Sequence, residues 1–132
     1  MSAKPAPNRP LSPFMIGPYY RPQLTSMLSI THRLTGLALT VGTILLAAWL
    51  MSAASGAWAY SQYMALLKSI PGQVLVFAWS WSLCYHLCNG IRHLVWDTGR
   101  GFDMKSVYTG GYLVVACSLL LTAAAWVTAL AM

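Results

Sequence analysis

The stretch "LTGLALTVGTILLAAWLMSAA", from Leu34 to Ala54, contains 21 residues and no charge. A helix that crosses the hydrocarbon core of a membrane needs about 20 predominantly apolar residues. Two further charge-free runs follow, from Val74 to Ile91 (18 residues) and from Gly110 to Met132 (23 residues). The sequence therefore predicts an all-α integral membrane protein with three transmembrane helices, over about residues 26–54, 72–97 and 106–131.

The composition supports this class. Of the 132 residues, 58% are hydrophobic and only 8% are charged, too few charges for the surface of a soluble domain. Residues 1 to 24 contain six of the seven prolines and cannot form a regular helix. We expect residues 1–24 to form an arm along the inner face and residues 25–132 to form the transmembrane domain. The first apolar run is longer than the roughly 7 to 15 residues of a signal sequence, which predicts an uncleaved helix.

The basic residues predict the orientation. Seven of the eight lie before the first span or around the second connection, and only Lys68 lies in the first connection. Positive charge concentrates on the cytoplasmic side, so we expect the N-terminus inside and the C-terminus outside. The net charge of +6 suits anionic membrane lipid or soluble subunits on that side, and no nucleic-acid partner is expected.

A polar stripe lies at the inner end of the second span, in "YHLCNGIRHLVWD" (Tyr85 to Asp97). At about 100° per residue, His86, Gly90, His93 and Asp97 fall within about 60° of one another, whereas Arg92 lies about 120° away. His86 is the deeper histidine, and an ionisable group at that depth is expected to face a partner, a cavity or a cofactor. The residues alone leave open whether His86 ligates haem iron or only hydrogen-bonds another helix.

A second polar stripe enters the first span from the same side. In "SITHRLTG", Ser29, His32, Arg33 and Gly36 have the spacing of one helical face. Cations here could hold haem propionates, and a hydroxyl beside an arginine could hydrogen-bond a quinone carbonyl. Arg33 could instead extend to a lipid phosphate. The cysteines are expected to act as small apolar residues, and "CYHLC" lacks the C-x-x-C-H pattern of covalent haem attachment.

Three segments carry a family resemblance: "RPLSP" (Arg9 to Pro13), "YRPQLTSMLSITHRLTG" (Tyr20 to Gly36) and "HLCNGIRHLVWD" (His86 to Asp97). Together they resemble the cytochrome b membrane-anchor family of succinate dehydrogenase, in which a second anchor subunit completes the helical bundle. One departure is Phe14, where relatives often have histidine. The absence of a transit peptide before "RPLSP" predicts a bacterial inner membrane.

The resemblance implies a role for each matching residue. His86 would be an axial ligand of haem b, with the other ligand from the second anchor subunit. The propionates would be held by His93, His32 and Arg33. Ser29 and Arg33 would form this chain's part of the ubiquinone site, and Asp97 would assist proton delivery there.

The resemblance also implies partners and a direction of electron flow. Succinate would be oxidised in a flavoprotein subunit, and electrons would pass through an iron–sulfur subunit to ubiquinone. Two alternatives remain from the sequence: an anchor of fumarate reductase, and a haem-free membrane scaffold or assembly protein in which the histidine stripe only packs.

Overall fold

The computed structural model describes residues 21–131, which form four helices. They are α1 (Leu24–Ala54), α2 (Ala57–Lys68), α3 (Ile70–Asp97) and α4 (Met104–Ala131). Of these, α1, α3 and α4 are long and apolar enough to cross a membrane. The predicted all-α class with three spanning helices is confirmed. Most of the expected inner arm, including Phe14, lies outside the described residues, and its last residue, Leu24, begins α1.

The turns between helices follow from local sequence. Gly56 takes a positive φ of 108° and separates α1 from α2. Ser69 alone separates α2 from α3; its hydroxyl accepts a hydrogen bond from the Gly72 N–H at 3.3 Å. Pro71 follows in the first turn of α3, where its missing N–H costs nothing. Ahead of α4, Asp103 accepts a hydrogen bond from the Ser106 N–H at 2.9 Å. That bond lowers the pKa of the exposed Asp103 carboxyl.

The short helix α2 was not predicted. It contains 12 residues with a mixed composition, "AWAYSQYMALLK", and no span-length apolar run marks it. It packs back against α1, where the Tyr63 hydroxyl donates to the Leu45 carbonyl at 2.7 Å. The three spans begin two residues earlier than expected, at Leu24, Ile70 and Met104.

Helix α3 is central, because it packs against both α1 and α4, whereas those two touch each other much less. Small residues bring the backbones close. A Cβ on Gly42 would collide with the Trp79 indole, and one on Gly111 would lie 2.8 Å from Leu28 Cδ1. Large apolar side chains cover the outside of the bundle, as lipid contact requires.

The interior is unusually polar. Only Leu28, Tyr85 and Val114 are buried hydrophobic residues within the described part, and five buried polar residues lie around them: Thr35, Ser82, Asn89, Ser118 and Thr122. The four hydroxyls among them donate to carbonyls on their own helices, for example Ser82 to Ala78 at 2.8 Å and Thr122 to Ser118 at 2.8 Å. These buried hydroxyls are therefore satisfied without a partner on another helix.

Candidate functional site

His86 lies where α3 meets α1. Its ring stacks on that of His32, with 3.9 Å between ring centroids and 11° between planes. His86 Nδ1 is 3.2 Å from the His32 carbonyl oxygen and 3.2 Å from Thr35 Oγ1. Two residues of α1 therefore fix the orientation of the imidazole ring.

These partners assign the tautomer of His86. A carbonyl oxygen can only accept, so Nδ1 must carry the proton and donate. The Thr35 hydroxyl donates to the His32 carbonyl at 2.9 Å, and its oxygen is free to accept from Nδ1. In a neutral ring the other nitrogen, Nε2, then holds an available lone pair. No described residue hydrogen-bonds this Nε2.

Gly36 makes the close approach possible. A Cβ at this position would lie 3.1 Å from His86 Cε1, closer than side chains normally approach. The motif "THRLTG" thus supplies a stacking ring, a carbonyl, a hydroxyl and a gap to the same imidazole. From the sequence, Gly36 was singled out but Thr35 was not, because the contact of both residues with His86 depends on how α1 and α3 align.

His93 joins the same cluster from two turns further along α3. Its ring centroid is 5.3 Å from that of His32 and 5.2 Å from that of Trp96. His93 Nε2 is 3.5 Å from Nδ2 of the fully buried Asn89. We call His32, His86 and His93 the histidine cluster. It unites three of the predicted site residues from two helices.

The other predicted site residues are Ser29, Arg33 and Asp97. Ser29 is half-buried, whereas Arg33 and Asp97 are exposed. Among the described residues, none of the three side chains has a hydrogen-bond or ion-pair partner. Within residues 21–131, the Arg33 guanidinium and the Ser29 hydroxyl are therefore available to bind another group.

Arg92 has a place that sequence reasoning did not assign. Its guanidinium carbon lies 4.0 Å above the Trp96 ring, and Nη2 donates to the Val107 carbonyl at 3.1 Å. Nη1 contacts Asn89 Oδ1 at 3.5 Å. Arg92 therefore joins α3 to α4, and it shares Asn89 and Trp96 as neighbours with His93. The sequence did contain a signal for this role, because Arg92 is a positively charged residue inside a predicted span.

Three observations indicate that the residues beside the histidine cluster are compatible with a haem. His86 Nε2 is oriented and has no hydrogen-bond partner among residues 21–131. A Cβ added to Gly90, one turn along the same stripe, would meet nothing within 4 Å, so the described residues leave open space there. The buried His32 Nδ1 also lacks a partner. Within residues 21–131 no three His, Cys, Asp or Glu side chains converge as a metal site.

Comparison with known proteins gives a consistent family. Residues 5–125 match the family described as succinate dehydrogenase/fumarate reductase transmembrane subunit. The chain is 44% identical over 119 residues to a protein of Rickettsia prowazekii (strain Madrid E), covering 90% of this chain and 91% of the relative. It is 34% identical over 114 residues to a protein of Paracoccus denitrificans, covering 86% of each. Both relatives are named succinate dehydrogenase cytochrome b556 subunit.

A mitochondrial relative agrees. The mitochondrial succinate dehydrogenase cytochrome b560 subunit of Homo sapiens is 39% identical over 118 residues, which cover 86% of this chain and 67% of the relative. The family match over residues 5–125 reaches all three spanning helices and includes both histidine-bearing motifs. The chain therefore belongs to the succinate dehydrogenase/fumarate reductase transmembrane subunit family.

Proposed function

We propose that this chain anchors a succinate:quinone oxidoreductase in the membrane, supplies one axial ligand of haem b, and forms part of the site where ubiquinone is reduced. One observation supports the haem assignment above all. The Nδ1 atom of His86 is 3.2 Å from a backbone carbonyl, which presents Nε2 as the ligating atom.

The haem would be shared between two chains. His86 would ligate its iron from this side, and a histidine of a second anchor subunit would complete the pair. His93, His32 and Arg33 would bind the propionates, as hydrogen-bond donors and a positive charge. When bound, the haem supplies a one-electron carrier close to the quinone site.

The quinone site would lie at the inner end of α1. The Ser29 hydroxyl and the Arg33 guanidinium are hydrogen-bond donors without a described partner, and both lie within the first three turns of α1. They would hold a ubiquinone carbonyl, while Asp97, the last residue of α3, would deliver protons from the inner side. The second anchor subunit and the iron–sulfur subunit would complete the pocket.

The remaining chemistry belongs to other subunits. A flavoprotein would oxidise succinate, and iron–sulfur clusters would bring the electrons to the membrane. This chain has no G-x-G-x-x-G motif and only three cysteines, all within spans. It would lie in a bacterial inner membrane with its N-terminus in the cytoplasm and its C-terminus in the periplasm.

The test is to purify the complex through a tag on this chain and measure both activity and haem. We expect succinate-dependent ubiquinone reduction, and a b-type haem band in the spectrum of the dithionite-reduced minus the oxidised protein. A complex that reduces quinone without any haem band would contradict the haem assignment. A purified chain with neither activity nor haem would identify a scaffold protein. Fumarate reduction by quinol that greatly exceeds the forward rate would identify a fumarate reductase anchor.

A further inference from the structure

A groove of about 520 Å³ lies between α3 and α4. This is within the roughly 300–1,000 Å³ typical of small-molecule sites. At about 100° per residue, Cys88, Ile91 and Val95 are centred about 180° from His86, whereas Arg92 and Trp96, which also line the groove, lie about 120° and 80° from it. The Trp96 ring contacts that of His93, so the groove borders the histidine cluster at this ring and opens on another face of α3.

The groove has a charged end and an apolar end. Arg92, Arg100 and Ser106 line it at the inner side, near the α3–α4 turn. Ile91, Leu113 and Cys117 line it further into the membrane. Because Gly110 packs on the Arg92 side chain, Cys117 lies about seven residues, or roughly 10 Å, deeper than the charged end. Ile91 and Leu113 are more than half exposed, so the groove opens toward lipid.

Arg92 lacks an anionic partner. Its Nη atoms contact a carbonyl and an amide oxygen, and its buried Nε atom has no hydrogen-bond acceptor. The whole chain contains only two acidic residues, and no ion pair involves Arg92 in the described part. Asp103 lies near the turn, but it caps α4 and does not line the groove. A cation held in this way at a membrane interface favours a bound anion.

We propose that the α3–α4 groove binds one anionic phospholipid of the inner leaflet. Its phosphate would lie between Arg92 and Arg100, and one acyl chain would extend along Ile91, Leu113 and Cys117. The lipid would neutralise Arg92 and fill the space between the two helices. This proposal does not depend on haem or quinone binding.

The experiment uses the intact complex, stripped of lipid in detergent and mixed with equal amounts of phosphatidylglycerol and phosphatidylcholine. Native mass spectrometry then counts the retained lipids. We expect one phosphatidylglycerol to be retained with at least tenfold preference. Arg92→Gln should remove this preference, and Arg100→Gln should weaken it severalfold. Lys68→Gln, which removes a cation on the outer side, should leave it unchanged.

Two further measurements locate the lipid and identify its source. A phosphatidylglycerol with a photoreactive acyl chain should label residues 88–95 of α3 or 110–117 of α4. Cys117→Trp, at an exposed position, should fill the groove and abolish this labelling. If the complex that contains Arg92→Gln fails to assemble, lipid retention in Arg100→Gln and labelling in Cys117→Trp test the proposal instead.

Several outcomes would overturn the proposal. Equal retention of phosphatidylcholine would rule out recognition of an anionic lipid. Displacement of the lipid by inorganic phosphate at millimolar concentration would indicate a simple anion site. Labelling that falls elsewhere, or a cross-link showing a neighbouring subunit within the groove, would assign it a different occupant.

Discussion

His86 and His93 lie on the same stripe of α3, yet their nitrogen atoms have different partners. His86 Nδ1 is bound to a carbonyl and a hydroxyl of α1, whereas His93 Nε2 approaches the Asn89 amide. The contacts of His86 leave its Nε2 atom available as a ligand. The contact of His93 suits a residue that donates a hydrogen bond to a bound group or lies beside it.

We predict that His86→Ala abolishes haem b binding and that His93→Ala leaves most of it in place. Only His86 combines depth in the membrane with an oriented, unpartnered Nε2. The measurement is the pyridine haemochrome content per assembled complex, with immunoblotting of this chain as the control for protein level. Equal haem loss in both variants at unchanged protein level would reverse the assignment.

Arg33 allows a sharp test of the quinone site. If it only contacts lipid phosphate, Lys should replace it well, since both side chains extend to the interface. If its planar guanidinium holds a propionate and the quinone, Lys cannot reproduce that geometry. We expect Arg33→Leu to reduce the succinate-to-quinone rate at least tenfold and Arg33→Lys to reduce it less.

Reduction of an artificial dye that accepts electrons upstream is the control for Arg33. It should continue at the normal rate in both variants, because the flavin and clusters would lie in other chains. A normal quinone reductase rate in Arg33→Leu, in assembled complex with full haem, would remove Arg33 from the quinone site.

Sequence periodicity placed each polar residue on a face of its own helix, but it could not align one helix with the other. The periodicity identified both the polar stripe that contains His86 and the polar stripe that contains His32. Their stacking depends on the register between α1 and α3, which Gly36 and Gly42 set through close packing. Thr35 and Asn89 were missed as site-forming residues for the same reason.

Helix α3 is the central element of the bundle, because two of its faces pack against other helices. One face carries the histidine cluster toward α1, and another carries Arg92 toward α4. The three spans could be predicted because hydrocarbon demands a minimum length of apolar residues. The membrane imposes no such demand on α2, so its 12 mixed residues gave no comparable signal.

The contact between Gly42 and Trp79 predicts a steric effect on stability. Any side chain at position 42 would displace the indole, and overpacking typically costs about 1–3 kcal/mol. We expect Gly42→Leu to lower the thermal midpoint of the detergent-solubilised complex. Val41→Leu, one residue away at an exposed position, should leave the midpoint unchanged. Equal midpoints for the two variants would show that the indole relocates freely.

The start of α4 predicts a pH effect. The Ser106 N–H stabilises the charged form of Asp103 and so lowers its pKa below the usual 3.8. The capping contribution is therefore complete above pH 3.8 and is lost as the pH falls through the lower, folded-state pKa. Carboxyl-carbon NMR of the protein in micelles should show this depressed value. Ser106→Pro, which removes the donor but fits a first helical turn, should raise it toward normal.

Taken as a whole, the chain has an asymmetric charge distribution and a one-sided site. The histidine motifs and most cations lie at the end of the bundle that contains the start of α1 and the α3–α4 turn, and apolar side chains cover the rest of the surface. Exposed apolar faces on α1 are typical of a chain that packs against lipid or another membrane subunit.

We predict that a periplasmic reporter fused after Met132 is active and that a cytoplasmic reporter fused after Arg100 in a truncated chain is active. The positive-inside rule gives this orientation from seven of the eight basic residues. Exchanging the two reporters should abolish both signals. The opposite pattern would place the proposed quinone site on the side away from the soluble subunits.

The buried hydroxyls also bear on how the protein is made. Ser82, Ser118 and Thr122 each donate to a carbonyl of their own helix, so these groups are satisfied before any neighbour arrives. These three hydroxyls therefore need no partner on another helix. Bonds between helices, such as Tyr85 to the Leu28 carbonyl and Trp126 to Ser80, can form only once the spans pack together. A span inserted alone would thus leave its Tyr85 or Trp126 donor unmet in lipid, which favours packing of the helices soon after insertion.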